Sequence, residues 1–243
     1  MFPLSHFFIN KQLATVTPLL TLGGMWPDIS AGCCMERGIS HNMGRDFLYF
    51  CRKNQPHALD LAWGILYHGA TPEGADYYAD EFWPGGEKGW CFQKGRKYIP
   101  DIAKATKLPD DFLWWKSHNF VEMALELITF ERNPKINTQI LSLAADTSAQ
   151  AIAVKALKAY YPISEQKTVE IFANIANIFV LKEINIHVYA ENQAKALKRR
   201  FGICDFDISA MEKIIWQIKS EIAPEYDQMM TSVINEIKRN NAK

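Results

Sequence analysis

Apolar residues recur along this chain with the period of an α-helix and almost nowhere with the period of a strand. Leu59, Ala62, Trp63, Leu66 and Tyr67 form one such stripe, and Ile214, Ile215, Ile218 and Ile222 form another. Residues three and four apart share a helix face, so each stripe predicts an amphipathic helix with its apolar side on a core. The same pattern predicts helices over 45–51, 58–67, 109–130, 136–145, 148–160, 165–178, 190–201 and 208–238. The best strand candidate is the short run 184–188, whose flanks read as helix. The expectation is an all-α, multi-helical bundle. With 243 residues, 48% of them hydrophobic, the chain can bury a sizeable core.

Composition changes near position 132. The first part is rich in Gly, Trp and His and carries broken segments such as WPGGEKGWCFQKGRKYIP, whereas regular Ala/Ile/Lys/Glu-rich helix follows Asn133-Pro134. This predicts a helical domain over 1–132 that carries the chemistry and an additional C-terminal helical lobe over 133–243. Lys+Arg and Asp+Glu are each 27, so no bulk field draws the chain to nucleic acid or to an anionic membrane. The five cysteines are odd in number and form no C-x-x-C pair, which argues against a disulfide framework or a thiolate zinc knuckle and for a reducing compartment. The N-terminus lacks a basic n-region, and no run of about 18 apolar residues occurs. A cytoplasmic protein without a transmembrane segment is expected.

Potential ligands gather in the first part. His6 precedes an apolar run; Asp28 ends GGMWPD, read as a Gly-rich loop fixed by Pro27; His41 lies in ISHNMG; His68 closes HALDLAWGILYH. Glu73, Asp76 and Asp80 follow in TPEGADYYAD, and His118 and Glu122 stand one turn apart in WWKSHNFVEMALEL. Each has an ordinary reading too. His118 with Glu122 can be a helix pair, His68 a cation at a helix C-terminus, Asp28 a cap, and the three acids a solvated face. His57, eleven residues before His68, is too far along the helix to share an ion with it and reads as structural, and His187 reads as a bystander. Lone His and Asp among apolar neighbours carry a desolvation cost, and zinc relieves it by binding neutral imidazole and carboxylate together.

The order of these motifs resembles the zinc-dependent phospholipase C family, relatives of the single-strand-specific zinc nucleases. A His near the N-terminus in FPLSHFF is followed by Pro-Asp after LLTLGGMW, a His, a helix ending in His, and His-x-x-x-Glu on a helix. The likeness covers roughly Met1 to Leu127. It implies that Asp28, His41 and His68 bind one zinc ion, that His118 and Glu122 bind a second, and that His6 belongs to a third site or its remnant. It also implies that Asp28 orients or deprotonates the attacking water.

The chain departs from that pattern in three places. Position 72 is Pro where the family has a bridging Asp, so Glu73 or Asp76 must take that role, with Thr71-Pro72-Glu73 read as a helix start. No further His occurs between 68 and 118, so Asp76 or Asp80 must replace it. The secreted members use a free N-terminal Trp, whereas this sequence begins Met-Phe, which counts against a third ion. The implied activity is zinc-dependent hydrolysis of a small phosphodiester or phospholipid-like substrate. Its competitor is a relative that has lost ligands and serves as a helical interaction module. An HD-type phosphohydrolase is set aside because the chain has no His-Asp dipeptide.

Overall fold

The computed structural model describes residues 3–31, 33–179 and 181–241, which form fifteen α-helices and no strand. They are α1 (Pro3–Leu13), α2 (Pro18–Ala31), α3 (Arg37–Ser40), α4 (Gly44–Asn54), α5 (Leu59–His68), α6 (Trp90–Gly95), α7 (Ile99–Thr106), α8 (Asp110–Arg132), α9 (Ile136–Ala144), α10 (Thr147–Tyr160), α11 (Glu165–Ala173), α12 (Ile175–Ile178), α13 (Ile186–Phe201), α14 (Ile208–Ile222) and α15 (Tyr226–Asn241). A π-helical turn, Tyr77–Glu81, lies between α5 and α6. The all-α expectation is met.

Side-chain caps mark several starts: Asp146, Ser164, Asn185 and Asp207 each accept a hydrogen bond from the backbone N–H three residues on. Asn185 explains why 184–188 is not a strand, since it opens α13 instead. The helix expected over 208–238 is two helices, interrupted at Pro224, and that over 165–178 breaks at Asn174.

The expected loop around Asp28 is the inside of α2. Sequence periodicity misses α1 and α2 because both are buried on nearly every side and so have no polar face to give the pattern a phase. The glycines of α2 serve a close helix crossing. A Cβ on Gly23 would stand 2.1 Å from the Leu61 carbonyl oxygen, and one on Gly64 of α5 would stand 2.4 Å from that of Leu20. Only hydrogen fits at those two positions.

Two hydrophobic cores result. One joins Phe120, Val121 and Leu125 of α8 to Ile214, Ile215 and Ile218 of α14 and to Met229 and Val233 of α15. The other joins Leu22 and Trp26 of α2 and Leu61 and Ile65 of α5 to Ile140 of α9 and Ala153 and Leu157 of α10. Each core draws on both sides of position 132. The expected boundary between 1–132 and 133–243 falls at the end of α8, but the two cores do not divide there. Among the described residues, no single helix is long and apolar enough to cross a membrane.

Candidate metal centre

Five segments converge on one cleft. Asp28 lies in the last turn of α2, His41 caps the C-terminus of α3, His68 ends α5, Asp76 immediately precedes the π-helical turn and Asp80 lies within it, and His118 and Glu122 lie on α8. Their donor atoms sort into two groups, each with all donors within 4.8 Å of one another: Asp28, His41, His68 and Asp76; and Asp80, His118 and Glu122.

In the first group, His41 Nε2 is 3.3 Å from Asp28 Oδ1 and 3.3 Å from Asp76 Oδ2, while His68 Nε2 is 3.4 Å from Asp76 Oδ2 and 3.7 Å from Asp28 Oδ1. In the second, His118 Nε2 lies 3.9 Å from Glu122 Oε2. His6, on α1, stands beside the first group. Its Nε2 is 3.2 Å from Asp76 Oδ1, and its ring stacks on that of His68 with centroids 3.6 Å apart.

Two of the three grouped imidazoles are oriented by a backbone carbonyl, and the third also meets a hydroxyl. Nδ1 of His68 donates to the Gly24 carbonyl at 2.7 Å and Nδ1 of His118 donates to that of Trp115, whereas Nδ1 of His41 lies 2.8 Å from the Ser40 hydroxyl and 3.2 Å from the Arg37 carbonyl. A carbonyl only accepts, so Nδ1 of His68 and of His118 holds a proton and Nε2 faces the cleft, the outer-shell pattern of metal-binding histidines. Pro27 and Asp28 follow Gly24 in α2, so the helix that supplies the carboxylate also orients His68.

Burial and charge set the protonation states. Burial disfavours the charged form of His68, but Asp76 and then Asp28 outweigh it and raise the imidazole to about 9. The same His68 charge, with the hydrogen bond from His41, overcomes burial at Asp28 and holds it well below the usual carboxylate range. Asp76 is also held well below, as His68 and the bond from His6 oppose its burial. Burial lowers His118 to about 4 despite Glu122, and burial with the His68 charge does the same to His6. Burial and the neighbouring Glu122 and Asp76 carboxylates raise Asp80 well above the ordinary value.

The residues fit a bound cation. His68 Nε2 and Asp80 Oδ1 are buried without a hydrogen-bond partner, and an orphaned buried donor or acceptor is costly unless something else fills its valence. Imidazole with carboxylate is a donor set that divalent metals accept. The groups are also close together. Arg37 Nη2 is 2.9 Å from Asp80 Oδ2 and 3.8 Å from Asp76 Oδ2, so those two oxygens are no farther apart than the sum of the two contacts.

Most of the residues anticipated from sequence meet here. Glu73 does not. The segment 71–73 is a turn rather than a helix start, the helical backbone begins only at Ala75, and Glu73 faces a separate pocket with Tyr77 and Phe82. Of the acids that follow His68, Asp76 lies in the first group and Asp80 in the second. Both are buried, so they form no solvated acidic face. His57 is exposed, and His187 pairs with Glu212 and Glu191 on the surface, outside both groups.

Two further residues were not singled out from sequence. Arg37 lies one helical turn before His41. Glu126 continues the α8 stripe one turn beyond Glu122, buried, and accepts from Leu4 N at 2.9 Å, Ser5 N at 2.7 Å and Ser5 Oγ at 2.7 Å. It thereby caps the helix that carries His6. Its spacing from Glu122 was the available signal; three polar residues at i, i+4 and i+8 in an apolar helix mark a buried polar seam.

The cleft over the two groups holds about 510 Å³ and is also lined by Lys116, Asn119 and Arg200. Burial, then the charges of Arg200 and Arg37, lowers the Lys116 ammonium to about 8. A second cavity of about 430 Å³ shares Asp28 with it and is lined by Ile29, Met123, Ile171, Phe179 and Tyr189. Comparison with protein-family models, with curated proteins and with solved structures returned no match to this chain.

Proposed function

We propose that the chain is a zinc-dependent phosphodiester hydrolase acting on a small or phospholipid-like diester. The observation that carries this reading is the convergence of seven buried or half-buried His, Asp and Glu donors as two neighbouring groups in one cleft. Imidazole and carboxylate donors suit zinc, and two ions held close together would polarise a phosphoryl oxygen and acidify a water molecule. The resemblance to the zinc-dependent phospholipase C family, drawn from motif order, points to the same chemistry. The bridging Asp and the further His that this pattern expects are absent from the chain, and Asp76 and Asp80 would stand in for them.

The chain's own groups divide the remaining work. Asp28 is the most open of the first group, with 25% of its side chain exposed against 2% or less for His41, His68 and Asp76. Held ionised by His68 and His41, it accepts a hydrogen bond from water entering the cleft and orients it for attack, with its carboxylate as the proton acceptor. Burial of the other donors excludes bulk water around them. The apolar cavity on the far side of Asp28 suits the hydrocarbon part of a phospholipid-like ester.

Elemental analysis of protein purified without a chelating tag tests this. Two zinc ions per chain are expected, with Asp28→Ala and His118→Ala each losing about one, together with zinc-dependent cleavage of bis(p-nitrophenyl) phosphate that Asp28→Ala abolishes. A chain that stays metal-free after zinc reloading overturns the reading and favours an interaction module on an inherited scaffold.

A further inference from the structure

The cations of the cleft remain unaccounted for by the metal groups. Arg37, Lys116 and Arg200 come from α3, α8 and α13, and all three line the same cavity as Asp28, His118 and Glu122. Each of the first two is held in place. Arg37 stacks over the Trp115 ring at 5.5 Å, and both of its ion pairs run through Nη2. Among the described residues, Nε and Nη1 meet no acceptor, which leaves three N–H donors to spare. Lys116 Nζ donates to Asn119 Oδ1 at 3.3 Å, and Asn119 Nδ2 donates to Glu122 Oε2 at 3.0 Å, so the ammonium is braced from the second ligand group.

Charge balance shows what these cations are for. Four carboxylates belong to the two groups: Asp28, Asp76, Asp80 and Glu122. Two divalent ions would offset all four, and the remaining acid on the cleft wall, the exposed Glu36, offsets one cation of three. The excess positive charge would repel itself in the absence of an anionic ligand. An Arg fork and a Lys point charge are the side chains that recognise tetrahedral oxyanions.

We propose that Arg37, Lys116 and Arg200 form an oxyanion cradle that seats the non-bridging phosphoryl oxygens of the substrate against the two donor groups. The C-terminal half of the chain then contributes to the site directly, through Arg200. The cradle rests on the hydrolase reading for its substrate but not for its anion binding. Its test therefore uses inorganic phosphate, not turnover.

Phosphate binding to the zinc-loaded full chain is measured by calorimetry, with zinc content recorded for every variant. Wild type is expected to bind one phosphate. Lys116→Met and Arg200→Met should each weaken binding about tenfold, and the double variant about a hundredfold, with zinc content unchanged. Arg37→Lys, which keeps the charge but loses the fork, should weaken it by a smaller factor. Unchanged affinity in the double variant, or no phosphate binding by wild type, overturns the cradle. Cation-dependent phosphate binding without cleavage of any phosphodiester would sustain the cradle and sink the hydrolase reading instead.

Discussion

The two donor groups share a cleft but are built differently. The first is assembled from four segments, α2, α3, α5 and the residues leading into the π-helical turn, and its charges lean on one another, with His68 raised to about 9 between two carboxylates held low. The second takes His118 and Glu122 from a single helix and adds Asp80, and its imidazole is pushed down to about 4. The first group thus helps to hold the fold together, because its side chains tie helices to one another. The second is carried by a helix whose position is fixed by core packing of Phe120, Val121 and Leu125. Removing a residue from the first should cost stability as well as metal; removing one from the second should cost mainly metal.

Asp76→Ala is the strongest way to break that comparison. It strips the carboxylate shared by His6, His41, His68 and Arg37, and loss of one partner in such a buried cluster costs about 3–5 kcal/mol. Urea unfolding should record that loss, and elemental analysis should find the first ion gone. A cost below about 1 kcal/mol would remove the structural role assigned to the first group.

Gly64→Ala attacks the same group through its scaffold. The new methyl would meet the Leu20 carbonyl and push α2 off α5, displacing Asp28 from His68 at a cost of about 3 kcal/mol. His118→Ala should leave one ion bound and lower stability by only about 1–2 kcal/mol. Equal loss of both ions in His118→Ala would mean that the groups bind cooperatively and are not separable.

Glu126 sharpens the comparison from outside both groups. Burial raises its carboxyl to about 7 against the opposing bonds from Ser5 and Leu4, above its unfolded value of 4.5. Between those values the folded chain holds a proton that the unfolded chain has released, so this group's contribution to stability is fully present below about pH 4.5 and is lost by about pH 7. Glu126→Gln should flatten that stretch of the pH–stability curve, at a cost of about 1 kcal/mol for the weakened cap on α1. His57→Ala, exposed and away from the cleft, should change neither zinc content nor stability by more than about 0.5 kcal/mol.

Legibility in the sequence followed the range of the interactions. His118 and Glu122 were visible because their relation is local, one helical turn on one face. Asp28, His41 and His68 stood out as residues, yet the backbone under Asp28 was misread, because a helix buried all round has no period and its glycines look like a loop. Asp76 and Asp80 were visible as acids on one short segment, but nothing local assigns them to different groups. That division depends on where the turn after His68 delivers the chain, which also carries Glu73 away from the cleft. Arg37 and Arg200 are ordinary basic residues until α3 and α13 are brought to the same wall.

The sequence by itself determined the helical class, most helices of the amphipathic kind, and the choice of His, Asp and Glu that makes a metal site chemically available. Periodicity reports which side of a helix is apolar, but it does not name the surface which that side will meet. Tertiary structure alone decided that α2 and α5 cross closely enough for Gly24 to orient His68, that Asp76 and Asp80 part company, and that both cores draw on the two halves of the chain. Those outcomes rest on contacts between residues far apart in the chain, and a local pattern carries no information about them.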